Sequence, residues 1–183
     1  MTRHRLSGFH SFRTAVADEW LIRGEVEYAV RVDTLREPCA IAVGAVTPAA
    51  LVNCDFGWAP GSAGVRREHS WGYVMEEARA DGEEAPPSTR AVSLGGSGTD
   101  GVKRVDALPD GRPLPSARRG DTFRVRLSPA SGRVEITLRG ASMVLSLPAS
   151  DAGQPLALAV GLKYAADSVT LVSAAREEGL PVP

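Results

Sequence analysis

Between Thr122 and Leu138 the sequence alternates polar and apolar residues with period two on both sides of a single break, Pro129-Ala130-Ser131-Gly132. An alternation of that period puts successive side chains on opposite faces of an extended chain, and a Pro/Gly break between two such runs predicts an antiparallel hairpin. The same grammar recurs. Glu25 to Asp33 alternates, polar at odd numbers and mostly apolar at even ones, so one face of that strand is expected to be buried and the other wet. Ala40 to Val46 is a continuous apolar run between Pro38 and Pro48, which predicts a central strand buried on both faces. Ser70-Trp71-Gly72-Tyr73-Val74 predicts a short aromatic strand. Arg139-Gly140 predicts a turn into a strand at Met143 to Leu147, and Leu156 to Leu162 and Ser168 to Val172 predict the last two strands. Short strands separated by turn signals every ~8–12 residues imply an all-β sandwich or barrel. Helical periodicity is confined to one short stretch, Met75 to Arg79. The acidic stretch Glu76 to Thr89 shows no useful period, and Asp55 to Gly64, Gly95 to Gly98 and Pro109 to Pro115 read as loops.

Composition narrows the function classes. The chain has 183 residues, enough for one well-cored domain, and its 43% hydrophobic and 23% charged residues are ordinary for a globular protein. A formal charge of −1 supplies no field to recruit nucleic acid or an acidic membrane surface, so neither partner is expected. No apolar run approaches the ~20 residues a membrane-spanning helix needs. Two cysteines, Cys39 and Cys54, in apolar stretches, are expected to be buried reduced thiols in a reducing, cytoplasmic setting. An organellar destination is the alternative, because residues 1–17 carry Arg3, Arg5 and Arg13 and no acid before Asp18. Phe9, Phe12 and Val16 in that segment would equally suit a first strand. The domain is expected over 20–174, with 1–19 a leading strand or extension and 175–183 a tail.

Parts for catalysis are missing. His4, His10 and His69 have no metal-ligand spacing with cysteine or carboxylate partners. Gly95-Gly96-Ser97-Gly98 has neither the spacing of a nucleophile elbow nor the lysine of a phosphate-binding loop. Cys54 beside Asp55 has no histidine nearby to activate it, and Glu76, Glu77, Glu83 and Glu84 read as a solvated run rather than calcium ligands. The chain is therefore expected not to be an enzyme and to need no cofactor or metal.

The order of these pieces resembles the SPRY domain family. Gly120-Asp121-Thr122-Phe123 looks like the family's G-D strand opening, and the hairpin after it matches the strand–turn–strand that usually ends in Asn-Gly, here Arg139-Gly140. Pro155 to Val160 and Ser168 to Leu171 are similar to its last two strands. Ser70-Trp71-Gly72 is nearly its S-W-G element. Gly24 to Val30 aligns with a strand that often reads G-x-x-Y-W-E-V, although the Tyr-Trp pair and its Glu are not in register, and Ala40 to Gly44 resembles the strand that follows. The resemblance implies a two-sheet antiparallel, concanavalin-like jelly-roll sandwich with long loops. It also implies a non-catalytic module that captures a short segment or surface of a partner protein through loops on one side.

The family's recognition loops fall on Val65-Arg66-Arg67-Glu68 and Gly161-Leu162-Lys163-Tyr164. Arg66 and Arg67 could clamp a carboxylate or phosphate bidentately. Lys163 lies beside them in kind, and Tyr164 and Trp58 would add aromatic contact area of the sort that dominates hot spots. Trp71 is expected in the core, and Arg118-Arg119 at a capped strand entry. Two other functions compete: a constitutive structural subunit of a larger assembly, and a carbohydrate-binding jelly roll, which would want exposed aromatics and Asp/Asn clusters where this chain has one asparagine, Asn53.

Overall fold

The structure is a computed structural model, and it describes residues 13–35, 41–48, 70–76, 79–80, 83–84, 88–94, 103–105, 107–162 and 164–177. Among the described residues there are thirteen strands: β1 Arg13–Val16, β2 Glu25–Thr34, β3 Ile41–Val46, β4 Ser70–Glu76, β5 Arg79–Ala80, β6 Glu83–Glu84, β7 Ser88–Leu94, β8 Lys103–Val105, β9 Thr122–Ser128, β10 Arg133–Leu138, β11 Ala141–Ser146, β12 Ala157–Leu162 and β13 Ser168–Glu177. They form a six-stranded sheet in the order β1-β12-β3-β4-β7-β8 and a five-stranded sheet in the order β11-β10-β9-β2-β13, with β5 and β6 a separate small hairpin. Every pairing is antiparallel. Among the described residues no helix is long and apolar enough to cross a membrane.

The periodicities expected from sequence appear as burial. Along β2 the even residues Val26, Tyr28, Val30 and Val32 are buried and the odd ones are not. β3 is buried at all six positions. Its odd residues Ile41, Val43 and Ala45 belong to the main core between the sheets, while Ala42 and Val46 pack on the sheet's outer face with Val74 and Ala159. Trp71 and Phe123 are fully enclosed in the main core, as are Leu127, Ile136 and Leu138 from the predicted hairpin. Burying each such side chain is worth about 1.5–3 kcal/mol, which is why the pattern dictates the face. The indole N–H of Trp71 has no hydrogen-bond partner despite its burial.

Three expectations need correction. Met75 and Glu76 continue β4 and Arg79 opens β5, so the weak helical period there forms no helix. The segment read as an acidic loop contains the β5–β6 hairpin and the start of β7. β7 and β8 were not evident in the pattern; β7 is held by β4 across seven paired positions, from Ser70↔Leu94 to Glu76↔Ser88, so tertiary pairing decides what local propensity leaves open. β13 also runs to Glu177, well past Val172.

Between β8 and β9 the chain crosses from one sheet to the other and closes one end of the sandwich with Leu108, Leu114 and Ala117. Tyr73 anchors this crossing. Its ring lies 5.0 Å from that of Phe123 at a tilt of 59°. Its hydroxyl donates to the Pro115 carbonyl at 2.9 Å and accepts from the buried Ala117 N–H at 3.0 Å. The crossing then turns through Arg118 to Asp121, where the Asp121 carboxylate accepts from the Arg118 N–H at 2.9 Å. Gly120, at φ 88, and Asp121 extend the ladder to Val32, so the basic pair Arg118-Arg119 sits on an exposed, capped strand entry, as expected.

The β10–β11 connection has Leu138 opposite Ala141, leaving Arg139 and Gly140 as the two turn residues, at φ 50 and φ 78. Positive φ at both positions is the type I′ turn, which fits the twist of a hairpin and favours Asn-Gly. Arginine pays a steric penalty there that asparagine largely escapes.

Replacing Arg139 with Asn (R139N) should raise stability by about 0.5–1 kcal/mol, a range typical of relieved backbone conflict, read as a higher urea midpoint at constant slope; an unchanged or lower midpoint would mean that the arginine side chain compensates. Replacing Tyr73 with Phe (Y73F) leaves the ring packing but strands the buried Ala117 N–H, and should cost about 1–3 kcal/mol. Equal stability of the two proteins would show that the hydroxyl does not hold the crossing.

Candidate functional site

The loops expected to carry recognition depart from the six-stranded sheet, and the strand register shows where. Ser70, which receives the chain after residues 49–69, pairs with Val46 at one end of β3. Leu162, from which the chain leaves toward Lys163 and Tyr164, pairs with Ile41 at the other end. The two anchor points are therefore five strand positions apart along β3, about 17 Å at the usual rise per residue. Sequence order hides this separation, because it follows from β12 and β4 both running antiparallel to β3.

Of the predicted contact residues, Tyr164 is described. It is half-buried and lies with Val16 and Trp20 against Ala42, Val46, Val74 and Ala159 on the outer face of the six-stranded sheet. Its carbonyl accepts from the Asp167 N–H at 3.1 Å, which closes the turn into β13, and Asp167 itself is buried. Tyr164 is thus part support and part surface. Arg66, Arg67, Lys163 and Trp58 lie outside the described residues, as do Cys39, Cys54 and the three histidines. Trp20, which the sequence did not single out, shares Tyr164's position. An aromatic just before a strand is a weak signal on its own, and only the sheet order brings it onto this face.

The outer face of the five-stranded sheet is charged but internally matched. Arg124 meets Glu27 at 2.7 Å, Arg126 meets Glu25 at 2.8 Å, Arg133 meets Glu135 at 2.9 Å and Arg31 meets Asp33 at 2.7 Å. Hydroxyls complete the set: Ser128 donates to Glu25 at 2.7 Å, Ser142 to Glu135 at 2.6 Å, and Thr170 to Asp33. The Thr170 hydroxyl and then Arg31 hold the Asp33 carboxyl below the ordinary carboxylate range. Alternation puts these residues on one face, where Arg124–Glu27 and Arg126–Glu25 join β9 to β2 diagonally and Arg31–Asp33 and Arg133–Glu135 join next-but-one neighbours along a strand. Exposed pairs of this kind contribute little to stability, about 0–1 kcal/mol each. Four guanidinium groups are matched to four carboxylates, so most of the charge on the face is internally paired, with Glu177 of β13 in register beside Glu25 as a further carboxylate. A depression there, lined by Glu25, Val26, Glu27, Arg126 and Ala175, is walled by the same paired charges.

Elsewhere, Arg176 at the end of β13 is ion-paired with Glu19 of the segment before β2. Arg112 folds back on Asp110 at 2.7 Å within one turn and, by side-chain and backbone hydrogen bonds, holds that carboxyl below its usual range. Burial pushes the Tyr28 phenol above its usual value, with Glu19 adding to the shift. Among the described residues no group of three or more His, Cys, Asp or Glu side chains is placed to hold a metal ion.

No family model matches the sequence, and no curated protein matches it. The fold does match solved structures. The SPRY domain of human HERC1 superposes with a TM-score of 0.56 at 12% identity, over 88% of this chain and 82% of that one. The PSpry domain of TRIM65 superposes with a TM-score of 0.53 at 18% identity, over 87% of this chain and 69% of that one. A homodimeric agglutinin from chicken liver overlaps more loosely, with a TM-score of 0.46 at 12% identity, over 89% of this chain and 100% of the agglutinin. The SPRY-like fold expected from the sequence is thereby matched in three dimensions: the chain has the fold of a SPRY domain.

Proposed function

We propose that this chain is a non-catalytic protein-interaction module that engages a partner through loops at the ends of its six-stranded sheet, with Arg66, Arg67, Lys163, Tyr164 and Trp58 as contact residues. The observation that carries the reading is the pairing of the SPRY fold with a charged face that is largely paired within itself. A rigid sandwich whose broad sheet face is largely matched in charge leaves recognition to its loops, which is where such scaffolds place it.

The register sharpens what kind of partner fits. Arg67 stands three residues before Ser70, so chain length alone keeps it within roughly 11 Å of that anchor. Tyr164 stands two residues beyond Leu162, at the far end of β3. The two loop anchors are on the order of 17 Å apart along β3, or about five extended residues, and an extended segment or a partner surface suits a footprint of that scale. A partner surface of standard size, about 800 Å² per side, covers that distance, whereas a two- or three-residue motif does not. The arginine pair adds a preference for a carboxylate or phosphate at one end of the footprint.

Affinity capture from a cell lysate with the full chain and with an Arg66→Ala/Arg67→Ala/Lys163→Ala variant tests this, with mass spectrometry as the readout. A partner held by the wild type should be reduced at least tenfold in the variant, with the thermal midpoint unchanged, because these substitutions remove hydrogen-bonding charge and no core volume. Tyr164 is left intact because its ring supports the sheet. Equal capture by both proteins would refute the loop reading and favour a constitutive subunit that docks by another surface.

A further inference from the structure

Among the described residues four strands lie at the edges of the two large sheets, and three of them are short. β1 has four residues, β8 three and β11 six. β13 has ten. An edge strand offers a row of unpaired N–H and C=O groups to any other chain, and proteins usually blunt long ones with lysine, proline or bulges. From Ser168 to Ala175 β13 contains no charge and no proline; Arg176 and Glu177 come only at its end. Two register shifts, at Ser168/Val169 and between Leu171 and Ser173, are its guard.

The core-side face of β13 is also largely uncovered, apart from its end, where Arg176 is ion-paired with Glu19. Val169, Leu171, Ala174 and Arg176 stand opposite Val32, Val30, Tyr28 and Val26, all of which point into the sandwich. Val169 packs against the core. Leu171, however, is 51% exposed, the bulged Val172 is 55% exposed, and Ala174 is exposed. The five-stranded sheet therefore runs past the cover of the other sheet, and it does so with apolar side chains on the uncovered side.

We propose that this edge is a self-association site, at which β13 pairs antiparallel with β13 of a second copy of the chain and joins two five-stranded sheets into one. The strand is complementary to itself. With a two-fold axis at Ser173 and the bulged Val172 left out of the ladder, Leu171 falls opposite Ala174 of the second copy, Thr170 opposite Ala175, Val169 opposite Arg176 and Ser168 opposite Glu177. Large meets small at the uncovered apolar positions and no like charges meet, on this strand or its symmetry mate. The bulge at Val172 falls beside the axis, so the flanking ladders on either side remain available. A net charge of −1 adds almost no mutual repulsion. Because the pairing is isologous it consumes the free edge of both copies and closes at two, which distinguishes it from open aggregation. This site is separate from the loops proposed to bind a partner and does not depend on them.

Sedimentation velocity on the full chain, from about 1 to 200 µM, where weak specific association becomes visible, should show a reversible monomer–dimer equilibrium. Leu171→Lys and Val172→Lys place a charge on the edge and should each weaken dimerisation at least about tenfold, with the thermal midpoint little changed because both side chains are half in solvent. Hydrogen exchange of the wild type supplies a readout that needs no variant: amides of β13 should exchange more slowly at the high concentration than at the low one, and those of β11 should not. A wild type that stays monomeric at about 200 µM, exchange at β13 that ignores concentration, or a dimer that both lysine variants retain would each overturn the proposal.

Discussion

Much of this sandwich depends on a six-residue strand buried on both faces. Ile41, Val43 and Ala45 of β3 meet the five-stranded sheet, while Ala42 and Val46 meet Trp20, Tyr164 and Val16 outside. β3 hydrogen-bonds to β12 on one side and β4 on the other, so it lies inside the larger sheet and beneath cover on both faces. A polar residue at any of its side-chain positions would need a buried partner that the surrounding strands do not offer. The placement of Trp71 and Tyr73 follows from this. Their Cα partners across the ladder are Ala45 and Val43, so both rings point into the same interior, and Tyr73 reaches from there to fasten the β8–β9 crossing.

What could be read from sequence was whatever local pattern decides. The alternation of β2, the uninterrupted run of β3 and the hairpin of β9 and β10 carry their burial in their own periodicity, and Arg139-Gly140 carries its turn in the glycine. β7 and β8 were hidden because nothing in Ser88–Leu94 or Lys103–Val105 commits to a face until β4 pairs with the first and β7 with the second. Around Met75 a weak helical period lost to the ladder, as weak propensities do when a neighbouring strand is available.

The candidate site was legible in kind and not in arrangement. Sequence identified Tyr164 as a surface aromatic, but its second role, packing over Ala42, Val46, Val74 and Ala159, depends on β12 lying beside β3. The 17 Å between the two loop anchors is equally a property of the register. Trp71 illustrates the opposite case: the S-W-G element that carried the resemblance turns out to be structural, with its indole sealed in the core and its N–H unpaired. The residue most useful for recognising the fold is thus remote from any surface that could recognise a partner.

The distribution of charge explains why two different kinds of surface remain. On the five-stranded sheet, alternation forces polar residues outward on β2, β9 and β10, and pairing across and along the strands then matches arginine to carboxylate. That keeps the face soluble and removes it as an electrostatic target. β13 lies on the same sheet but contributes Thr170, Ser173 and Ala175 to that face, with a charge only at its end, Glu177, while its other side extends beyond the core. The matched charges therefore stop one strand short of the sheet's edge. Where they stop, backbone hydrogen bonding and apolar contact become the available interactions, and both are short-ranged and shape-dependent. The loops at the ends of the six-stranded sheet, with their arginines, offer the complementary kind, longer-ranged and selective for charge. As proposed, self-association and partner choice use separate places, so changes at one need not disturb the other.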